Sequence, residues 1–173
     1  KPVDIVWIID NSSSMGPAIT EVQSGLDAFT ALIAARDIDY RVIVVSKRGH
    51  GAYTSGGSSR YAVCIPPPLA SDTECHDGTR FFQESLEVRS TQGIEQAMGA
   101  LDETTGYQPG DAYGADVGET SWAMRLRPEA TKTIVLVSDD NERMVTSSYA
   151  KPPSGDTDPS ASPAGTVDWF EHG

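Results

Sequence analysis

"VDIVWIIDNSSSMGPAI", residues 3–19, runs an apolar segment broken only by Asp4 straight into an aspartate, an asparagine and three serines. Its first half is dense in β-branched and aromatic residues without clean polar alternation, the pattern of a strand buried on both faces. It predicts a central strand. Pro17 suits a first helical turn, and Ile19, Val22, Leu26, Phe29 and Leu32 or Ile33 recur at helical spacing, which predicts an amphipathic helix over about 17–35. "DYRVIVVSK", residues 39–47, supplies a second strand. Strand, helix and strand joined by short connections imply a right-handed crossover and a parallel pair. The fold class expected is therefore α/β, a doubly wound and mainly parallel central sheet flanked by helices.

The chain has 173 residues, enough for one domain with a substantial core, so residues 1–173 are read as a single domain. Hydrophobic residues make up 38% and charged residues 22%, a globular composition. No apolar run approaches the roughly 20 residues of a membrane span, so direct membrane insertion is not expected. The formal net charge of -12 disfavours nucleic acid and anionic lipid as partners and favours cations. An acidic surface also serves solubility alone.

Residues 48–89 are dominated by Gly, Ser, Pro and Asp, with strand-like pieces only at "RYAVCI" and "RFFQESLEV". Such an excursion in a compact domain is usually functional or mobile. Cys64 and Cys75 sit 11 positions apart within it, in "CIPPPLASDTEC". They predict a loop-closing disulfide worth about 2–3 kcal/mol, and hence an oxidising, extracellular, periplasmic or cell-surface setting. A metal pair is the weaker reading, because neither belongs to a C-x-x-C and the nearby His76 alone makes a poor third ligand. His50, His76 and His172 each look isolated, and Trp7 and Trp122 look like core.

"STQGIEQAMGALDET" predicts a second helix with Ile94, Ala97, Met98 and Leu101 on one face, and "ETSWAMRLRP" a third that stops near Pro128. "KTIVLVSDDNE" is another apolar strand ending abruptly in acid. Residues 151–165 read as a Pro/Ser-rich loop. "TVDWFEHG" reads as a helix start capped by Thr166, with Val167 and Phe170 available for burial. A doubly wound sheet would continue beyond it, so the C-terminal part is expected to be truncated, and any leader peptide to have been removed ahead of residue 1.

In open parallel sheets ligands bind beyond the carboxyl ends of the strands. Asp10 and Asp139 both fall at such ends, and the start of the second helix brings Ser90 and Thr91 to the same edge. In Asp-x-Ser-x-Ser, alternate residues can turn Asp10, Ser12 and Ser14 to one side while Asn11 and Ser13 face away. Carboxylates and hydroxyls without His or Cys suit a hard divalent cation, Mg²⁺ first, with Mn²⁺ or Ca²⁺ as alternatives. Neutral serine ligands leave such an ion short of negative charge, which a partner's Asp or Glu would supply. The plain alternative is that the serines cap a helix.

"DIVWIIDNSSSM" closely resembles the metal-ion-dependent adhesion site of von Willebrand factor type A domains and of the inserted domains of integrins, down to the Met after the last Ser. "VRSTQGIEQAM" is similar to the family's second metal loop, and "IVLVSDDNE" to its third. The resemblance covers about residues 3–143 and leaves the middle excursion unmatched. Within the family the chain is most like secreted or surface-lipoprotein members from myxobacteria and related bacteria.

Carried over by position, the resemblance implies that Ser12 and Ser14 ligate the ion, Asp10 holds it directly or through water, and Asp139 acts mostly through water. For the third hydroxyl, in the second metal loop, counting back from Gly93 selects Ser90, whereas residue type favours Thr91. Asp140 stands where the family commonly has Gly. The implied function is metal-dependent adhesion to a protein or glycan ligand that presents an acidic group, with 48–89 selecting the partner.

An enzyme is not expected. Phosphoryl-transfer enzymes with an aspartyl nucleophile resemble Asp-x-Asp after the first strand, and here the second member is Ser12. No Gly-x-Ser-x-Gly, P-loop or His-Glu-x-x-His occurs. A Mg-dependent phosphohydrolase and a relic metal site with binding through the long loop remain as alternatives.

Overall fold

The computed structural model describes residues 1–88, 93–101, 122–140, 143–145 and 166–168. In chain order these form β1 (Val3–Ile9), a 3-10 turn (Ser13–Met15), α1 (Gly16–Ala34), β2 (Tyr40–Val45), β3 (Ala52–Ser55), β4 (Ser58–Tyr61), β5 (Phe81–Glu84), α2 (Gly93–Gly99), a second 3-10 turn (Trp122–Arg125), β6 (Thr131–Val137), β7 (Arg143–Val145) and β8 (Thr166–Asp168). Four strands build a parallel sheet in the order β5-β2-β1-β6. The architecture is α/β. β1 lies between β2 and β6, where its two-sided apolar content is used.

Alternation along the strands divides the core into two layers. Ile5 and Ile9 of β1 and Val42 and Val44 of β2 pack with Ile19, Leu26 and Ile33 of α1. Val6 and Ile8, with Ile43 and Val45, turn to the opposite face and meet Ala97 of α2, Ala100 and Trp122. A sheet covered on both faces needs continuous apolar strands, which is why β1 and β2 lack polar alternation. On α1 the ambiguous position resolves to Ile33, which is buried, while Leu32 is 57% exposed. Trp7 is half-buried and meets Phe29 edge-on, with ring centroids 5.7 Å apart.

Asp4, the one charge inside β1, is fully buried. Arg127 answers it twice: its Nε lies 2.8 Å from Asp4 Oδ1, and its backbone N–H donates to Asp4 Oδ2 at 2.6 Å. The same guanidinium reaches the Asp39 carboxylate at 2.8 Å and the Val3 carbonyl at 2.9 Å. This clamp ties the amino-terminal ends of β1 and β6 together at the edge opposite the acid-rich loops.

The middle excursion is more ordered than its composition suggests. Gly56 and Gly57, both at positive φ, form the two-residue turn of the antiparallel β3–β4 hairpin, the geometry that a twisted hairpin favours. Val63, Ile65, Leu69, Ala70 and Phe81 then complete the core on the α1 side. β5 belongs to the main sheet, pairing with β2 through Val42↔Phe81 to Val45↔Glu84. The excursion at 48–89 therefore contributes a strand to the main sheet.

Two expectations are corrected. Within "ETSWAMRLRP" the described part is a 3-10 turn over Trp122–Arg125. Trp122 is anchored by its indole N–H, which donates to Ala97 O at 2.7 Å. Thr166–Asp168 is a strand and not a capped helix start, because Arg143–Val145 supplies antiparallel partners. Phe170 and His172 lie outside the described residues. β6 is exposed along its largely polar first half, Thr131–Ile134, and ends the described strand order with a neighbour on one side only.

Candidate functional site

β1 and β6 run parallel in register to Ile9↔Val137, and the Asp10 N–H extends the pairing by donating to Val137 O at 2.9 Å. That bond sets Asp10 beside the residues that leave β6. Asp10 Oδ1 accepts from the Ser12 N–H at 2.7 Å, and Oδ2 accepts from the Ser138 hydroxyl at 2.9 Å. Ser138 Oγ in turn accepts from the Asp140 N–H at 3.1 Å.

The serine hydroxyls continue the chain of oxygens. Ser12 Oγ and Ser14 Oγ lie 3.1 Å apart, and Ser14 Oγ donates to Asp139 Oδ1 at 3.1 Å. Neither Ser12, which precedes the 3-10 turn, nor Met15, which precedes α1, makes a side-chain capping bond. The plain helix-cap reading of the serines thus fails. Their hydroxyls face each other and the acid of the neighbouring strand.

Asn11 and Ser13 face away as the alternation predicts. Ser13 is exposed. Asn11 is fully buried and connects three segments: its Nδ2 donates to Tyr53 Oη at 2.7 Å, its Oδ1 accepts from the Val88 N–H at 2.7 Å, and its carbonyl accepts from the Tyr61 N–H at 3.0 Å. The β3–β4 hairpin is thereby fastened beside the Asp10–Ser14 loop. Gly16 lets the end of the Tyr61 ring lie close to the backbone at this seam. A Cβ there would lie 2.5 Å from the Tyr61 ring.

Of the predicted site residues, Asp10, Ser12, Ser14 and Asp139 are brought together. Ser90 and Thr91 lie outside the described residues; the nearest described position, Val88, exchanges hydrogen bonds with Asn11. Ser138 was missed, although its place before Asp139 at a strand end was a usable signal. Tyr53 and Tyr61 carried no signal, because their approach depends on a hairpin joined to the loop only through tertiary contacts. Asp140 is half-buried and contributes its backbone N–H to Ser138.

The electrostatics are unbalanced. Burial pushes the Asp10 carboxyl above its ordinary range; hydrogen bonds from Ser12 and Ser138 oppose the rise, and the neighbouring Asp139 charge adds to it. No cationic side chain contributes at Asp10 among the described residues. Asp10 and Ser12 are buried whereas Ser14 and Asp139 are exposed, so the oxygens form a shelf with a closed floor and an open side. An all-oxygen donor set carrying two carboxylates fits a hard divalent cation in chemistry and charge.

Cys64 and Cys75 form the expected disulfide, with Cα atoms 5.2 Å apart. His76 turns outward to Asp72 at 2.8 Å. The histidine beside the disulfide is His50, with Nε2 at 3.6 Å from Cys64 Sγ and 3.5 Å from Cys75 Sγ. No described helix is long and apolar enough to cross a membrane. Comparisons with protein-family models, curated proteins and solved structures find no match to this chain.

Proposed function

We propose that this chain is a doubly wound, Rossmann-like domain of the von Willebrand type A kind, and that it binds a protein or glycan partner through a divalent cation at the carboxyl edge of its sheet. The observation that carries the reading is the meeting of Asp10, Ser12, Ser14 and Asp139 from two adjacent strand ends in a hydrogen-bonded run of oxygens. Ser12 and Ser14 would hold Mg²⁺ with Asp10 and Asp139, joined by Ser90 or Thr91. The ion would supply a Lewis-acidic point for a carboxylate of the partner. Neutral hydroxyls among the ligands leave charge unsatisfied, and the open side at Ser14 and Asp139 is where an incoming carboxylate would enter. The β3–β4 hairpin, fixed beside the site by Asn11, would contribute selectivity. Among the described residues the cluster holds only carboxylates and hydroxyls, and the reading is a binding module. The disulfide supports an extracellular or cell-surface setting.

The test is calorimetric titration of Mg²⁺ and Mn²⁺ into the purified chain, wild type beside Asp10→Ala and Ser12→Ala, each checked for fold by circular dichroism. Uptake of one ion per chain, lost in both folded variants, is the expected result. A folded wild type that takes up neither ion ends the proposal.

A further inference from the structure

The second place where ligand atoms converge lies away from the oxygen cluster, where the excursion returns against α1. An isolated bridge between Arg48 and Val63 draws the segment before the hairpin against the one that carries Cys64, and His50 is thereby set over the disulfide. The Cys64 and Cys75 sulfurs and a His50 ring nitrogen all lie within 4.8 Å of one another. His50 is exposed and Cys64 lines a groove, while Cys75 is buried behind it. A groove of about 370 Å³, lined by Gln23, Ser24, Asp27, His50, Cys64 and Thr73 among others, opens beside them.

The distances match a particular chemistry. With Zn–S near 2.3 Å and Zn–N near 2.0 Å, a tetrahedral ion places its sulfur and nitrogen ligands about 3.5 Å apart. His50 Nε2 already stands 3.6 Å and 3.5 Å from the two sulfurs. Two thiolates on the same ion lie about 3.8 Å apart. With the Cα atoms at 5.2 Å, rotation of the two cysteine side chains can open the sulfurs to that spacing. Asp27, at the groove wall, has a buried Oδ1 without a hydrogen-bond partner, and its burial raises its carboxyl pKa; a cation in the groove would relieve both.

We infer that Cys64, Cys75 and His50 form a redox-gated site for a borderline-soft cation of the Zn²⁺ class, closed while the disulfide stands and opened by a dithiol reductant. This inference is independent of the oxygen cluster. The thiolate of the dithiol attacks Cys64 Sγ, the sulfur on the groove, forming a mixed disulfide as the Cys64–Cys75 bond breaks and Cys75 leaves as thiolate. The reductant's second thiol then attacks its own sulfur in the mixed disulfide and releases Cys64. The dithiol ends as a cyclic disulfide, the protein gains two electrons, and the two protons of the dithiol pass to the cysteines or solvent.

The cation then displaces the thiol protons. His50 Nε2 at present donates to the Thr73 carbonyl at 3.0 Å, since a carbonyl only accepts; on binding, its proton shifts through solvent to Nδ1, which the exposed ring permits. Three protein ligands leave a fourth position for groove water.

The experiment uses Co²⁺ as the spectroscopic probe, with excess Mg²⁺ present to occupy the oxygen cluster. The full chain is reduced with dithiothreitol, freed of it by anaerobic gel filtration, and titrated. Expected is one Co²⁺ per reduced chain with thiolate-to-cobalt charge-transfer absorption, none in the oxidised chain, and affinity at least tenfold weaker in reduced His50→Ala with an altered visible band. A reduced chain that keeps its circular dichroism and gives no such absorption overturns the inference. So does a His50→Ala chain that binds equally well, or a reduced chain that unfolds and is not refolded by Co²⁺ or Zn²⁺.

Discussion

Ser14 Oγ donates to Asp139 Oδ1 at 3.1 Å across 125 positions of chain. Both residues are exposed, and an exposed hydrogen bond contributes at most about 0.5–1 kcal/mol to stability. Under the proposed function the contact is the metal-free arrangement of two ligands rather than a structural tie. Ser14→Ala is therefore expected to shift the urea midpoint of metal-free protein only slightly, while lowering Mn²⁺ affinity at least tenfold, about 1.4 kcal/mol. A variant that loses stability and keeps its affinity would reassign Ser14 to the fold.

Asp10 gives the site a pH signature. Because burial raises its pKa in the folded chain, the folded state takes up the Asp10 proton before the unfolded state does. The stabilisation from that proton is fully present below the unfolded value of about 3.8 and is lost as pH rises through the folded value. In metal-free buffer this residue thus opposes folding at neutral pH, and Asp10→Asn should raise the melting temperature there and abolish its own share of the pH dependence. With saturating Mg²⁺ the sign reverses for wild type alone, since protons then compete with the ion. Melting curves across pH, with and without Mg²⁺, measure both; an Asp10→Asn chain that melts lower than wild type in metal-free neutral buffer contradicts the account.

Asn11 converts the oxygen cluster and the hairpin into one unit. Removing its side chain strands the buried Val88 N–H and breaks the bond to Tyr53 Oη, so Asn11→Ala is expected to cost about 2–3 kcal/mol. Tyr53→Phe removes the hydrogen bond from Asn11 and should cost about 1 kcal/mol. In an Asn11→Ala background, Tyr53→Phe should cost much less, because the partner is already gone. Denaturant midpoints of the four chains test the coupling, and strictly additive losses would show that hairpin and loop are held independently.

Much of this arrangement was legible in residue order, for identifiable reasons. Val3–Ile9 had to be covered on both faces, which made it central; the spacing from Ile19 to Ile33 located α1; and acids ending two apolar strands marked the edge where Asp10 and Asp139 meet. Each signal is local. What was hidden depends on contacts between distant segments. The approach of His50 to Cys64 rests on the Arg48–Val63 bridge, so sequence proximity pointed to His76. The strand at Thr166–Asp168 exists through its pairing with Arg143–Val145, and a three-residue stretch carries no period of its own. Phe81–Glu84 joined the sheet although the excursion before it obscured its role.

Arg127 provides the last prediction, at the far edge of the sheet. Asp4 is fully buried and Arg127 is its ion-pair partner at 2.8 Å, whereas Asp39 on the same guanidinium is exposed. Arg127→Ala would leave a buried carboxylate uncompensated, at a cost of about 3–5 kcal/mol. Asp39→Asn should change stability little, since solvent screens a water-exposed pair. The hydrogen bond from Arg127 holds the Asp39 carboxyl below its ordinary range, so its small contribution is present above the unfolded pKa and disappears only as pH falls through the lower folded value. Asp4→Asn in the Arg127→Ala background should recover part of the loss, because the uncompensated charge is then absent. If Arg127→Ala proved no worse than Asp39→Asn in urea denaturation, the guanidinium would not be neutralising Asp4, and the stability of β1 would have to rest on its apolar contacts alone.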